Sequence, residues 1–150
     1  MSTPSATIRL LGPGDASVLD QIAPDVFDFP IDARWTAEFF ADARHHLVVA
    51  LLDGQVIGMA TGLHYVHPDK PPELWVNEVG VAPPYQRQGI GRRLLRALFT
   101  HAHTLGCAEA WVGTEPDNEP ARGLYASLGG DQEPMVLYSF RLSTTSAEER

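Results

Sequence analysis

The chain has 150 residues, 44% of them hydrophobic and 20% charged, which predicts a soluble globular domain with one core. Its formal net charge of −8 argues against nucleic acid as a partner, because phosphate backbones are bound by clustered Lys and Arg side chains. No apolar run approaches the ~20 residues that span a bilayer, and the N-terminus has no apolar signal core, so we expect a cytoplasmic location without membrane contact.

Alternating apolar residues, helical spacing and turn-forming residues predict a mixed series of strands and helices. In chain order they are a strand over 7–11, a helix over 16–23, a second helix ending near 44, strands over 46–52, 56–65 and 74–81, a helix after 89 that ends near 105, a strand over 108–114, a helix over 119–128 and a strand over 135–142. Asp15 is the predicted N-cap of the first helix, and Asp53-Gly54 is the predicted turn of a hairpin. We expect a proline-rich loop over 66–72 and a frayed tail over 143–150. No internal repeat or linker interrupts the series, so we expect one domain over residues 1–150.

The turn between the strand over 74–81 and the next helix carries the strongest chemical signal. Gly89 and Gly91 allow the backbone N–H groups of this turn to point at one place, and the first N–H groups of a helix are unpaired and lie at its positive dipole end. From Val79 to Ala108 the chain carries four arginines and no acid. This pattern predicts an anion site, most naturally for a phosphate.

Acidic residues are concentrated on both sides of this basic stretch. Residues 15–42 contain seven acids and one arginine, and residues 109–133 contain six acids and one arginine. A basic centre between acidic segments indicates two ligands of opposite charge, and the acidic segments favour a cationic partner. Solvated acidic surfaces are the alternative interpretation.

Three other kinds of site find little support in the sequence. His64 and His67 flank a predicted turn, and His101 and His103 diverge on a predicted helix, so we expect no metal site. Neither GxxxxGKS nor GxxxxGKT is present, which removes a P-loop nucleotide site. Cys107 is the only cysteine and follows a helix exit, where a buried structural thiol is favoured over a nucleophile.

Two motifs in the second half of the chain are informative in combination. They are Gln86-x-x-Gly89-x-Gly91 after the strand Val79-Gly80-Val81, and Asn118, Ala121 and Tyr125 before Leu128-Gly129. With these motifs and this order of elements, the chain resembles the GCN5-related N-acetyltransferase (GNAT) superfamily over essentially its whole length. The resemblance implies an α+β fold with a mixed, mostly antiparallel central sheet, helices on both faces, and a splayed strand pair that holds acetyl-CoA.

The chemistry of the residues agrees with what the resemblance implies about coenzyme A. Its pyrophosphate suits the backbone amides of residues 87–92 with arginine charge nearby, and its pantetheine arm could pair like an added strand with residues 79–81. Gly80 inside that strand predicts a bulge or a close approach of another backbone. The residues expected to bind the cofactor are Val79, Gly80, Val81, Gln86, Arg87, Gln88, Gly89, Ile90, Gly91, Arg92, Asn118, Ala121 and Tyr125. Glycines that merely close a helix turn are the alternative.

Glu78 is a carboxylate in an otherwise apolar strand, which predicts either a partner or a catalytic role. Strict alternation would place it on the same face as Val76, with Val79 and Val81 opposite. A partly buried glutamate with a raised pKa could accept the proton of an ammonium, directly or through water, while a backbone N–H near Val79 stabilises the oxyanion of a direct transfer. The resemblance implies that Tyr125 protonates the departing thiolate. The alternatives are a salt bridge for Glu78 and simple packing for Tyr125.

Within the family, residues 73–129 most resemble the small aminoglycoside 3-N-acetyltransferases (type I), enzymes of antibiotic resistance. This resemblance, together with the acidic segments, predicts a polycationic aminoglycoside as the acetyl acceptor and implies a possible homodimer. The candidate substrate-binding residues are Asp28, Asp32, Glu78, Glu115, Asp117 and Glu119. The alternatives are an acetyltransferase of polyamines, amino acids or protein amino groups, and a non-catalytic acyl-CoA-binding module.

Overall fold

The computed structural model describes residues 5–143, which form one mixed sheet with helices packed on it. The strands are β1 (Thr7–Leu10), β2 (His45–Leu52), β3 (Gln55–His67), β4 (Lys70–Val81) and β5 (Glu109–Val112), and the α-helices are α1 (Ala33–Ala41), α2 (Ile90–Thr104) and α3 (Glu119–Ser127). Two short 3-10 helices, Ala16–Asp20 and Pro83–Tyr85, complete the series. The predicted α+β fold class is confirmed.

The sheet has five strands in the order β1-β2-β3-β4-β5. The first four strands pair in antiparallel fashion, and β5 joins β4 in parallel. A parallel neighbour requires a crossover connection, and α2 supplies it between β4 and β5. The sheet is therefore mixed and mostly antiparallel, as expected.

The β2–β3 hairpin forms where its turn sequence predicts it. Asp53 and Gly54 have φ values of 50° and 77°. Positive φ at both central residues is the requirement of a type I′ turn, which matches the twist of the flanking strands. The prediction of a hairpin at Asp53-Gly54 is confirmed.

The core lies on both faces of the sheet, because consecutive residues of β2 are buried. Each of residues 47–50 is at most 3% exposed. On one face, α2 buries Leu94, Leu95 and Leu98 against β3, where glycines leave room for the helix. The segment that follows β1 covers the other face with Leu19 and Val26. Within residues 5–143 the longest α-helix, α2, has 15 residues, and none of the helices is long and apolar enough to cross a membrane.

Two predicted elements of the first half differ in the structure. The helix predicted over 16–23 is only the 3-10 helix Ala16–Asp20, and Asp15 makes no side-chain cap to it. Its carboxylate instead accepts hydrogen bonds from the Gly12 N–H at 2.7 Å and from Arg9 Nη2 at 2.6 Å. Asp15 therefore stabilises the turn after β1, and the prediction that it begins a longer helix is wrong.

The proline-rich stretch predicted as a loop over 66–72 is mostly strand. β3 continues to His67 and β4 begins at Lys70, which pair with one another across a two-residue turn. The prolines of β4 remain compatible with the sheet because a proline costs only one N–H donor. Cross-strand contacts stabilise this part of the hairpin, for example the 2.8 Å hydrogen bond from the Tyr65 hydroxyl to Glu73 Oε2. The hairpin is therefore longer than the proline content of residues 66–72 predicts.

The strand predicted over 135–142 does not form in the described part of the chain. These residues pair with no other strand of residues 5–143. The sequence carries strand-like alternation there, but a strand needs a neighbouring edge to satisfy its backbone groups. The tail predicted over 143–150 lies outside the described residues, apart from Ser143.

Candidate active site

A β-bulge in β4 determines where the candidate site lies. Thr61 of β3 pairs with Glu78, but the next residue, Gly62, pairs with Val76, so Asn77 is an extra residue on β4. The parallel pairing of β4 with β5 ends at Val76 opposite Val112, directly before the bulge. Because a bulge bends its strand, β4 separates from β5 beyond this point. The expected splayed strand pair is present.

The same bulge changes the face to which Glu78 belongs. Paired residues of neighbouring strands share a face, so Val76 lies with Gly62 and Glu78 lies with Thr61 on the opposite face. The expectation that Glu78 shares a face with Val76 is therefore wrong, because the extra residue reverses the alternation. Val79 still lies on the face opposite Glu78, as predicted.

A cleft of about 370 Å³ opens beside the freed part of β4. Its walls come from the loop after the first 3-10 helix, from β3, from β4 and from the turn before α2. The lining residues are Asp25, Val26, Asp28, Met59, Asn77, Glu78, Val79, Gly80, Val81 and Gln86. The cleft thus brings together three groups of predicted site residues. They are Glu78, four predicted cofactor-binding residues (Val79, Gly80, Val81 and Gln86), and the predicted substrate ligand Asp28.

Gly80 allows the acidic loop to approach β4. A Cβ atom built on Gly80 would collide with the backbone carbonyl oxygen of Val26. Asp25, next to Val26, has a φ of 67°, a left-handed conformation that side chains rarely adopt. The close backbone approach predicted at Gly80 is therefore confirmed, and the bulge lies at Asn77 instead. This contact is what places Asp28 beside β4.

Glu78 has the electrostatic environment of a proton acceptor. Partial burial, and secondarily the nearby Asp28 carboxylate, raise the pKa of Glu78 above its ordinary value. Within residues 5–143 no Lys, Arg or His nitrogen lies within 4.0 Å of its carboxylate, so the salt bridge considered as an alternative is not formed there. A raised pKa brings a carboxylate closer to the range in which it can take a proton from an ammonium group.

The turn before α2 presents unpaired donors, as predicted for an anion site. Gly89 is the N-cap residue with φ 80°, and α2 has no side-chain cap. Arg93 N–H donates to the Gly89 carbonyl at 3.2 Å and begins the helical ladder, so the N–H groups of residues 90–92 lack helical acceptors. Arg92 adds a buried Nε with no hydrogen-bond partner in the described chain. Gln86 Nε2 donates to the Val81 carbonyl at 2.9 Å and ties this turn to β4.

These donors fit the pyrophosphate of coenzyme A, which needs several N–H groups and positive charge at one place. The residues that would hold it are the turn from Arg87 to Gly91 with Arg92. Ile90 is 5% exposed, so it offers its backbone while its side chain belongs to the core. Arg93 is engaged elsewhere, because its Nη2 donates to the Ala6 carbonyl at 2.8 Å.

Helix α3 brings the second motif next to this turn. A Cβ atom on Gly91 would lie 3.2 Å from Leu124 Cδ2, so α3 packs against the start of α2. Asn118 is the N-cap of α3 and accepts a hydrogen bond from the Ala121 N–H at 3.2 Å. Burial raises the pKa of the Tyr125 phenol above its ordinary value, which already lies well above neutral pH. Tyr125 is half-buried and does not line the cleft beside β4.

The other predicted substrate ligands do not join Glu78. Asp32 caps α1 by accepting hydrogen bonds from the Arg34 and Trp35 N–H groups at 2.8 and 3.1 Å. The other three acids are exposed and do not line the cleft; they are Glu115 and Asp117, in the turn before α3, and Glu119, the first residue of α3.

Two polar residues of the cleft were missed by sequence reasoning, Asp25 and Asn77. The acidic bias of residues 15–42 includes Asp25 without distinguishing it from its neighbours. Nothing in the sequence marks Asn77, because a bulge depends on the register of the two paired strands.

Comparison with known proteins agrees with this geometry. The acetyltransferase (GNAT) family model matches residues 17–129. The chain is 31% identical over 147 residues to the N-alpha-acetyltransferase RimI of Mycobacterium tuberculosis, covering 97% of this chain and 90% of that protein.

Solved structures with the same fold include aminoglycoside acetyltransferases. One from an uncultured soil metagenomic sample has a TM-score of 0.79 at 18% identity and covers 93% of this chain and 100% of its own. The aminoglycoside N-acetyltransferase AAC(6')-Iy in complex with CoA has a TM-score of 0.71 at 21% identity and covers 90% of this chain and 99% of its own. At these identities the likeness shows the fold alone. With its family match and its relative of nearly full length, the chain belongs to the GNAT family of N-acetyltransferases, whose acetyl donor is acetyl-CoA.

Proposed function

We propose that this acetyltransferase transfers the acetyl group of acetyl-CoA to an amino group of a polycationic aminoglycoside, at the 3-amino position. The observation that carries the proposal is the meeting of Asp28 and Glu78 in one cleft beside the freed part of β4. Two carboxylates with no basic partner within ion-pair distance in residues 5–143 form a site that attracts several ammonium groups. Asp25 adds a third acid to the same cleft.

Separate groups of the protein have separate roles in the proposed direct transfer of the acetyl group. Bound acetyl-CoA supplies an acetyl thioester. Glu78 takes a proton from the substrate ammonium, directly or through water, and leaves the neutral amine that can attack a carbonyl carbon. A backbone N–H of β4 near Val79 would donate to the carbonyl oxygen that gains negative charge. The Tyr125 phenol, which is protonated at neutral pH, is the donor for the leaving sulfur.

A second candidate function is acetylation of the α-amino group of a protein. It is supported by the 31% identity to the N-alpha-acetyltransferase RimI over almost the whole chain. A peptide N-terminus carries one ammonium group and an extended backbone, so it would engage Glu78 without needing Asp28. The two candidates therefore differ in how much activity depends on Asp28.

A substrate panel separates these functions. CoA release from acetyl-CoA is followed with gentamicin-type aminoglycosides, with spermidine, and with peptides that begin with a free α-amino group. We expect turnover with an aminoglycoside, and mass spectrometry of the product to show acetylation at the 3-amino group. Turnover of peptides alone would replace the first proposal with the second, and cofactor binding without turnover of any amine would indicate a non-catalytic module.

A further inference from the structure

The β-bulge in β4 places a second polar residue, Asn77, beside Glu78. In a regular strand, neighbouring side chains alternate between the two faces of the sheet. Val76 is 2% exposed and belongs to the core on the α2 face, whereas Glu78 pairs with Thr61 on the opposite face. Asn77 is the extra residue between them; it is exposed, and it lines the same cleft as Glu78. The bulge therefore brings two consecutive polar residues to one cleft.

Asn77 differs from the acids around it in the hydrogen bonds that it can make. The acids that line the cleft are Asp25, Asp28 and Glu78, and an ionised carboxylate accepts hydrogen bonds but donates none. An asparagine amide is uncharged and carries one acceptor oxygen and two N–H donors. The Asn77 amide makes no side-chain hydrogen bond within residues 5–143. It is therefore available to a bound molecule.

Asn77 supplies the uncommitted side-chain donor of the cleft. The other lining residue with a side-chain N–H is Gln86, whose Nε2 donates to the Val81 carbonyl at 2.9 Å. The remaining side chains that line the cleft are acidic or apolar. An ammonium group only donates hydrogen bonds, so it can use the oxygen of Asn77 but not its N–H groups. Those N–H groups suit an acceptor oxygen on the substrate.

The position of Asn77 in the chain limits where that oxygen lies on the substrate. Glu78 is the proposed acceptor of the proton from the reacting amine, and Asn77 directly precedes it in β4. Consecutive Cα atoms are about 3.8 Å apart, and both residues line the same cleft. A molecule whose amine reaches Glu78 therefore brings its next few atoms close to Asn77.

We propose that Asn77 selects amines with an oxygen atom two carbons from the reacting nitrogen, by donating a hydrogen bond from Nδ2 to that oxygen. This inference rests on the proposed function, in which Glu78 receives the amine. The N–C–C–O arrangement occurs in amino sugars and aminocyclitols, through a hydroxyl or ether oxygen, and in a peptide N-terminus, through its first carbonyl. Spermidine contains no oxygen and gains nothing from Asn77.

A matched pair of amines tests this selection in the full-length protein. 2-Deoxystreptamine carries two amino groups on a ring with hydroxyl groups, and cis-1,3-diaminocyclohexane has the same ring and amino groups without the hydroxyls. The preference is the ratio of the two kcat/KM values, measured by CoA release from acetyl-CoA. We expect Asn77→Leu, which removes the amide at similar size, to lower this preference roughly tenfold. Asn77→Asp keeps the shape but removes the N–H donors, and it should lower the preference as well.

A second pair identifies the source of the oxygen. A peptide with a free α-amino group is compared with the same peptide whose first peptide bond is replaced by a trans-alkene, which removes the carbonyl oxygen without adding a charge. A loss of preference in Asn77→Leu for the peptide pair alone would assign the oxygen to a peptide carbonyl. Loss for the ring pair alone would assign it to an aminocyclitol.

Calorimetric binding of the same four compounds to the CoA-saturated protein repeats the comparison without turnover. Failure of the proposed acetylation is thereby distinguished from failure of the inference about Asn77. Gln55→Leu, at the turn between β2 and β3, is the control and should leave every preference unchanged. Equal losses for both members of each pair, or unchanged preferences in Asn77→Leu and Asn77→Asp, would overturn the inference.

Discussion

Glu78 and Asp28 are distant in the sequence, and they share a cleft because Gly80 leaves space for the loop that carries Asp28. The loop that carries Asp28 can approach β4 only because Gly80 has no Cβ where the Val26 carbonyl lies. The resulting proximity helps to raise the pKa of Glu78. The absence of a side chain at Gly80 thereby influences the protonation of Glu78, two residues earlier in β4.

Substitution of Glu78 by glutamine tests its role as base. Glu78→Gln keeps the shape but cannot accept a proton, so we expect kcat to fall by roughly 10²–10⁴. Acetyl-CoA affinity, measured by calorimetry, should change little, because the turn before α2 is untouched. Turnover equal to that of the wild type would remove Glu78 from the mechanism.

Asp28→Asn predicts a shift in the pH profile. Removing the Asp28 carboxylate removes one of the charges that raise the pKa of Glu78, so that pKa should fall. Because the base must be ionised to act, the acid limb of kcat/KM should move to lower pH. KM for an aminoglycoside should also rise, whereas KM for a peptide should change less. An unmoved acid limb would show that Asp28 does not influence the base.

Gly80→Ala tests the contact between the acidic loop and β4. The added Cβ meets a backbone carbonyl that cannot rotate away, so we expect the free energy of unfolding to fall by about 1–3 kcal/mol. Gly14→Ala is the control, since a Cβ there meets nothing within 4 Å. Urea unfolding of both variants provides the measurement, and equal stabilities would argue against the close approach.

Among the elements, α2 has two separate roles, one in its middle and one at its N-terminus. Its middle fills the core with Leu94, Leu95 and Leu98, and its N-terminus leaves N–H groups unpaired beside Arg92. Helical spacing of the leucines identifies the first function from sequence. The glycine pattern identifies the second, because a helix start without a side-chain cap is available to an anion.

A pair of glycines flanking α2 allows a controlled test of that anion site. Gly89→Asp introduces strain at φ 80° and a negative charge at the positive end of the helix, and we expect the Kd for CoA to rise at least about tenfold. Gly106→Asp introduces the same charge and comparable strain, at φ 89°, beyond the other end. Both variants should lose stability, but only the first should lose CoA affinity. Equal CoA affinities would remove the turn from the cofactor site.

At the scale of the whole molecule, one buried and two partly buried histidines join β2, β3 and α2. His46 is 5% exposed, its Nε2 lies 2.7 Å from His64 Nδ1, and its ring centroid lies 4.8 Å from that of His101. Burial first, and then the charges of His101, His64 and His45, lower the pKa of His46 from 6.5 to about 4, whereas Asp42 acts in the opposite direction. His46 is therefore neutral in the native protein near neutral pH.

This burial predicts a loss of stability in mild acid. As the pH falls below 6.5, His46 becomes protonated in the unfolded state, whereas in the native state it stays neutral down to about pH 4. The free energy of unfolding should therefore fall as the pH is lowered across that window. The pKa difference corresponds to about 3 kcal/mol at most. Urea unfolding at several pH values should show a shallower dependence for His46→Phe than for the wild type. An unchanged dependence would contradict the assignment.

The sequence by itself determined the fold class, most of the elements and the turn with unpaired N–H groups before α2. These features depend on local patterns: apolar alternation, leucines at helical spacing, Asp53-Gly54 for a turn with positive φ, and Gly89 at a helix start. A local pattern is readable because the residues that enforce it lie within a few positions of one another.

Only the tertiary structure decided the face of Glu78, the acids that accompany it, and the state of residues 135–142. The bulge at Asn77 depends on the register of β4 against β3, and the approach of Asp28 depends on space above Gly80. Asp32 is equally acidic but caps α1. The alternation of residues 135–142 predicts a strand, but strand formation requires an edge to pair with, and the described chain does not bring its own edge to it.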